Sequence, residues 1–159
     1  MKAMRRVIPI LLLMYGGCAL AQNVQRGTEA DVRKMIDDAL GYIKEVGVEA
    51  AFKEFDNQGN KRWHYKDLYL FCEKMDGMMD CHGANSALVG KNLWGMQTVD
   101  GQYFVQDCIE VVRKYGSGWL NYKRANPLTK QVEDKRVFVV KVAGYDGFIG
   151  TGIYKPISD

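Results

Sequence analysis

The chain has 159 residues, of which 22 are basic and 19 acidic, giving a formal net charge of +3. This excess falls in residues 1–21, which hold three basic and no acidic residues, so the remainder is formally neutral. A neutral chain excludes electrostatic binding of nucleic acid or anionic membranes as its function. The length suits one domain with one core.

The N-terminus has the pattern of a targeting segment. Basic residues at the start precede the apolar residues 7–17, and residues 19–21 (ALA) offer a cleavage site. We therefore expect a signal peptide over 1–21 and a periplasmic or secreted domain over 22–159. An uncleaved anchor and lipidation at Cys18 remain alternatives. Because no second apolar run follows that could cross a membrane, the sequence predicts a stand-alone exported module.

The first elements in chain order are helical. Thr28 and Asp31 form a predicted capping box, and apolar residues recur at helical spacing from Val32 to Val46. A second, shorter helical stretch follows over residues 48–55. Strands are predicted over 68–75 and 78–82, with Asp76-Gly77 as a two-residue hairpin loop between them.

The second half of the chain begins with a long excursion, residues 83–118, that carries a predicted helix over 103–115. Three more strands are predicted over 119–124, 136–143 and 148–154. This order fits an α+β fold, a five-stranded antiparallel sheet with a long N-terminal helix behind it and a helical excursion between strands two and three.

Three cysteines remain after the predicted leader. Turning the chain at Asp76-Gly77 sets Cys72 opposite Cys81 in a non-hydrogen-bonded pair, where side chains approach most closely. We expect a cross-strand disulfide between them, with two buried free thiols as the alternative. Cys108 on the predicted excursion helix is expected to act as a small core residue.

Four segments resemble the single Cache domain, a family of extracytoplasmic sensor modules with a PAS-like sheet. They are residues 76–85 (DGMMDCHGAN), 88–93 (LVGKNL), 116–123 (GSGWLNYK) and 150–155 (GTGIYK), and the resemblance spans roughly residues 30–156. It implies that a small ligand binds between the sheet and the excursion. Short organic acids such as acetate, propionate, pyruvate or lactate are the implied ligands, and a membrane sensor kinase or chemoreceptor is the implied partner.

The candidate ligand-binding residues follow from strand alternation. Tyr69, Phe71 and His82 share a polar and aromatic face that should look toward the excursion. His82 is either a pocket donor or a structural residue tying its strand to the next loop. Lys123 is either a carboxylate-binding cation or a solvated edge residue. The full set of candidates is Tyr69, Phe71, His82, Trp94, Tyr103, Trp119, Lys123 and Tyr145.

Catalytic and metal-binding motifs are not recognisable in the sequence, so we expect neither an enzyme nor a cofactor. The family often carries a second Trp where Arg124 stands here, and Arg124 adds a further candidate cation. The predicted function is binding of a short carboxylate for sensing or signal transduction through a partner. The alternative is a periplasmic interaction subunit of a membrane sensor or transporter that binds no small molecule.

Overall fold

A computed structural model describes residues 25–155, so the predicted leader over 1–21 and Cys18 lie outside the described residues. The helices are α1 (Glu29–Val46), α2 (Val48–Asp56) and α3 (Phe104–Tyr115), and a 3-10 turn covers Ser86–Leu88. The strands are β1 (His64–Tyr65), β2 (Leu68–Tyr69), β3 (Phe71–Lys74), β4 (Met79–His82), β5 (Ser117–Ala125), β6 (Val132–Lys141) and β7 (Gly147–Lys155). Over residues 25–155, no helix has the length and apolar character needed to cross a membrane.

The long N-terminal helix starts at the predicted capping box. The Asp31 backbone N–H donates to Thr28 Oγ1 at 3.1 Å, and the Thr28 N–H donates to the Asp31 carboxylate at 2.8 Å. These two bonds satisfy backbone donors that a helix N-terminus otherwise leaves unpaired. Its buried side chains follow the predicted apolar stripe: Val32, Met35, Ile36, Ala39 and Ile43.

The central sheet has five antiparallel strands in the order β4-β3-β7-β6-β5, which confirms the predicted α+β fold. One detail differs, because the predicted strand over 68–75 is divided at Leu70. Its first part, β2, pairs with β1 in a small separate hairpin that the sequence analysis did not predict.

The β3–β4 hairpin pairs Cys72 with Cys81 and bridges them by a disulfide, as predicted. The prediction of a two-residue turn is wrong. The Lys74 N–H donates to Met78 O at 2.8 Å, and this bond closes a three-residue loop over 75–77. Gly77 supplies the positive φ of +86° that this loop requires. A bulge between this loop and the cysteines restores their predicted pairing.

The sheet separates two hydrophobic clusters. The face that carries the disulfide packs on α1 and α2, as the alternation of strand residues predicted. The opposite face packs on α3 and the excursion through residues such as Phe71, Leu120 and Phe104. Any site between the sheet and the excursion must therefore use this second face, which we call the excursion face.

Candidate ligand-binding site

A small cavity lies between the excursion face and the excursion. Its volume is about 20 Å³, roughly the room that one water molecule needs. It adjoins an open cleft of about 410 Å³, and both are lined by Tyr69, His82, Met96 and Arg124. The complete lining of the small cavity is Tyr69, Phe71, Glu73, Met79, His82, Leu88, Leu93, Met96, Phe104, Val105, Tyr122 and Arg124.

His82 at the end of β4 is held in one protonation state by its surroundings. Its Nδ1 accepts backbone N–H bonds from Ala84 at 3.3 Å and Asn85 at 3.0 Å, so Nδ1 carries no proton. Burial, and then the positive charges of Arg124 and Lys135, lower the pKa of His82 to about 3. The neutral ring therefore has its proton on Nε2. Its Nδ1 ties β4 to the following loop, which is the structural role that the sequence left open, and the ring also lines the cavity.

Tyr69 is polarised by a buried lysine behind the cavity wall. Lys135 Nζ donates to Tyr69 Oη at 2.7 Å, and the Tyr154 hydroxyl lies 3.0 Å from the same oxygen. Lys135 is only 1% exposed, and burial lowers its pKa. Burial acts to raise the pKa of Tyr69, but the positive charges of Lys135 and Arg124 outweigh this and lower it. A hydroxyl in this state is a strengthened hydrogen-bond donor.

Arg124 extends from β5 into the wall that the cavity and the open cleft share. Within residues 25–155, no carboxylate lies within 4.0 Å of the charged nitrogens of Arg124 or Lys135. Both positive charges thus lack a counter-ion in the described part of the chain. Arg124, Tyr69 and His82 together form what we call the donor end of the cavity.

Glu73 lines the cavity four residues from Tyr69 on the same strand face. It is 0% exposed, and neither carboxyl oxygen has a hydrogen-bond partner among the described residues. Burial raises the pKa of Glu73 to about 8, although the charge of Arg124 opposes this shift. Glu73 is therefore a neutral carboxylic acid near pH 7, at what we call the inner end of the cavity.

The structure brings three of the eight predicted site residues into the cavity wall, namely Tyr69, Phe71 and His82. Lys123 lies at the rim of the open cleft, where it forms an exposed salt bridge with Asp134 at 2.8 Å. This geometry matches the solvated edge residue that the sequence left as an alternative.

The other four candidates do not line the cavity. Trp119 points to the opposite face of the sheet and packs on Phe138, because β5 turns its even-numbered residues toward the excursion. The Tyr145 hydroxyl donates to Asp80 at 2.6 Å beside α2. Trp94 and Tyr103 lie on the outside of the excursion, 42% and 45% exposed.

Apart from Arg124, which the sequence offers as a candidate cation, the polar residues that complete the site were not predicted. Tyr122 and Arg124 lie on the face of β5 opposite Trp119, as strand alternation predicts, and that face meets the cavity. Glu73 lies on the Tyr69 face, and the sequence alone assigns it no role. No local sequence pattern indicated that Lys135 is buried beside Tyr69, because it stands among other charged residues at the start of a strand.

A five-stranded antiparallel sheet with a small cavity under a helical excursion is the architecture of Cache and PAS-like sensor domains. The model of the family described as Single Cache domain 2 matches residues 19–157, so the chain belongs to this family.

Relatives of the chain are sensor proteins. The Sensor histidine kinase MctS of Rhizobium johnstonii is 28% identical over 142 residues, covering 84% of this chain and 30% of the kinase. The chain thus spans about 30% of the length of this curated relative.

Two solved structures share the fold. A periplasmic sensor domain of a chemotaxis protein superposes with a TM-score of 0.62 at 25% identity, covering 79% of this chain and 93% of the other. A Cache chemosensory domain described for carboxylic acid recognition superposes with a TM-score of 0.69 at 19% identity, covering 79% of this chain and 92% of the other.

Proposed function

We propose that this domain binds a short organic carboxylate at the donor end of the cavity. One observation carries the proposal, namely that Arg124 stands in the cavity wall without a carboxylate partner in residues 25–155. Tyr69 and His82 line the same end, where His82 carries a proton on Nε2 and the Tyr69 hydroxyl is already hydrogen-bonded to Lys135 and Tyr154. A ligand carboxylate would supply the missing counter-ion and accept a hydrogen bond from His82 Nε2.

The physical basis is charge-assisted hydrogen bonding in a partly dry site. A bond between an ionised donor and a carboxylate contributes about 1.5–3 kcal/mol, roughly twice a neutral bond. Lys135 adds to this through the Tyr69 hydroxyl, which it contacts at 2.7 Å. Phe71, Phe104 and Leu93 line the rest of the cavity and favour a ligand with a short apolar part.

The cavity volume limits the ligand to a small molecule. At about 20 Å³ it is smaller than an acetate ion, so entry requires side chains to move outward. Leu88, Met96 and Arg124 are the half-buried members of the lining, and the last two also face the open cleft. Their movement into the cleft would open room for acids of about two to four carbons.

The sensory role follows from the family. The named relatives are a sensor histidine kinase, of which this chain covers 30%, a periplasmic sensor domain of a chemotaxis protein and a Cache chemosensory domain. We therefore propose a non-enzymatic domain that acts in the periplasm and reports its ligand to a membrane sensor kinase or chemoreceptor. Carboxylic acid recognition is named for one structural relative. For this chain, the proposal of a carboxylate ligand rests on Arg124, Tyr69 and His82 and not on that relative.

Calorimetric titration of the purified protein with acetate, propionate, butyrate, pyruvate and lactate tests the proposal. Arg124→Gln removes the positive charge from the cavity wall, whereas Lys123→Gln removes one positive charge from the neighbouring residue on the other strand face. We expect Arg124→Gln to weaken binding at least tenfold and Lys123→Gln to change it less than twofold. Equal effects of the two variants, or no binding by the wild type, would contradict the carboxylate site.

A second function is favoured by the small cavity volume, which side chains nearly fill. In that case the domain would dock on a membrane sensor or transporter without any ligand of its own. Thermal denaturation separates the two, because a ligand that binds only the folded state raises the melting temperature. A flat response to all five acids, together with capture of one membrane sensor by the tagged protein, would favour docking.

A further inference from the structure

The inner end of the cavity carries a polar group that the fold does not use. Glu73 is 0% exposed, and both of its carboxyl oxygens lack partners in the described part of the chain. A buried carboxyl without hydrogen bonds is unfavourable, because it gives up its bonds to water and receives none in return. An apolar side chain of similar size would avoid this penalty, so packing does not explain why Glu73 is present.

The position of Glu73 gives the cavity two polar ends. Tyr69 is in β2 and Glu73 is four residues later in β3, and both side chains line the same small cavity. Phe71 lies between them, and Phe104 and Val105 of α3 cover the space from above. Glu73 does not line the open cleft, so it meets a ligand only through the cavity.

We propose that Glu73 is a specificity residue that binds a hydroxyl or oxo group on the part of the ligand farthest from its carboxylate. This inference rests on the proposed function, in which the ligand carboxylate occupies the donor end. An un-ionised carboxyl can donate one hydrogen bond and accept another, which matches a hydroxyl or a carbonyl group. The domain then prefers hydroxy or oxo acids over the parent acids of the same length.

The selectivity has a physical reason. A site built to hydrogen-bond a ligand group rejects the analogue that lacks it, since the polar group of the protein then stays unpaired. With the parent acid bound, the Glu73 carboxyl gains no hydrogen bond, whereas the hydroxyl group of the hydroxy acid forms one with it. One such bond corresponds to a preference of about tenfold.

Calorimetry with matched pairs of acids tests this role. The pairs are propionate with lactate and with 3-hydroxypropionate, and butyrate with 3-hydroxybutyrate and with 4-hydroxybutyrate. The measured quantity is the ratio of affinities within each pair. Glu73→Leu removes both hydrogen-bonding atoms, and Glu73→Gln keeps a donor and an acceptor at the same place. The melting temperature of each variant verifies that it is folded.

We expect the wild type to prefer at least one of 3-hydroxypropionate, 3-hydroxybutyrate and 4-hydroxybutyrate by about tenfold over its parent acid. Glu73→Leu should reduce this ratio to near one while still binding the parent acid, and Glu73→Gln should keep most of it. An unchanged ratio in Glu73→Leu, or a wild-type ratio near one for every pair, would overturn the role of Glu73 alone. A wild type that binds none of the acids would instead overturn the carboxylate site and this inference with it.

Discussion

The unpaired carboxyl of Glu73 should make the stability of the domain depend on pH in an unusual direction. Burial raises the pKa of Glu73 from 4.5 to about 8. Between these values the folded state holds a proton that the unfolded state has released, so stability falls as the pH rises. Most paired carboxylates have lowered pKa values and show the opposite trend.

The size of the effect follows from the shift, because one pKa unit corresponds to about 1.4 kcal/mol. A shift from 4.5 to about 8 predicts that Glu73 lowers the free energy of unfolding by on the order of 3 kcal/mol between pH 5 and pH 8. Glu73→Gln cannot ionise, so the difference between wild type and this variant isolates the effect. Other titrating groups are common to both proteins and cancel.

The assay is urea unfolding of wild type, Glu73→Gln and Glu73→Leu at pH 5, 6, 7 and 8. Wild type and Glu73→Gln should have similar stability at pH 5 and separate as the pH rises. Glu73→Leu should exceed both, by about 1–3 kcal/mol over Glu73→Gln, because it removes the unpaired polar group. Parallel curves of unfolding free energy against pH for wild type and Glu73→Gln would refute the reasoning.

The titratable and charged groups that interact electrostatically with Glu73 are Arg124 of β5, Cys108 of α3, Asp76 of the β3–β4 turn, Tyr122 of β5 and Tyr145 of the β6–β7 turn.

Two further predictions concern neighbouring residues of β3 and β4. Replacing both Cys72 and Cys81 with Ala should lower the free energy of unfolding in urea by about 2–3 kcal/mol. Carboxylate affinity should stay within twofold, because the disulfide lies on the α1 face of the sheet. An unchanged free energy of unfolding would contradict this. The His82 ring should remain neutral down to pH 5 in ring-nitrogen NMR, because burial lowers its pKa to about 3. The stability from that neutral ring is complete above about pH 6.5 and is lost as the pH falls toward 3, so a ring that protonates near 6.5 would speak against the buried site.

Much of the fold was predictable because its signals are local. The capping box at Thr28, the helical period of α1 and the glycine-rich turns each depend on residues close in sequence. The Cys72–Cys81 pairing was predicted correctly despite a wrong turn, because a longer loop and a bulge compensate within the same hairpin. Such compensation depends on how the strand packs, and the sequence pattern alone does not contain it.

The site was less predictable because it depends on pairing between distant strands. Alternation on β5 divides Trp119 and Lys123 from Tyr122 and Arg124, but it does not tell which set faces the ligand cavity. That choice follows from the pairing of β5 with β6, β6 with β7 and β7 with β3. Aromatic residues were given more weight than Arg124, although a half-buried cation without a carboxylate partner in residues 25–155 is the stronger indication of an anion site.

The two ends of the cavity should respond differently to pH, and this separates their roles. At the donor end, Arg124 stays charged and His82 stays neutral across the range from pH 5 to pH 8. At the inner end, Glu73 changes its charge near pH 8. Affinity for a parent acid should therefore vary little from pH 6 to pH 7, while the preference for a hydroxy acid should change as Glu73 ionises. An ionised Glu73 would also repel a nearby anion, so the domain should bind any carboxylate more weakly above pH 8 than below it.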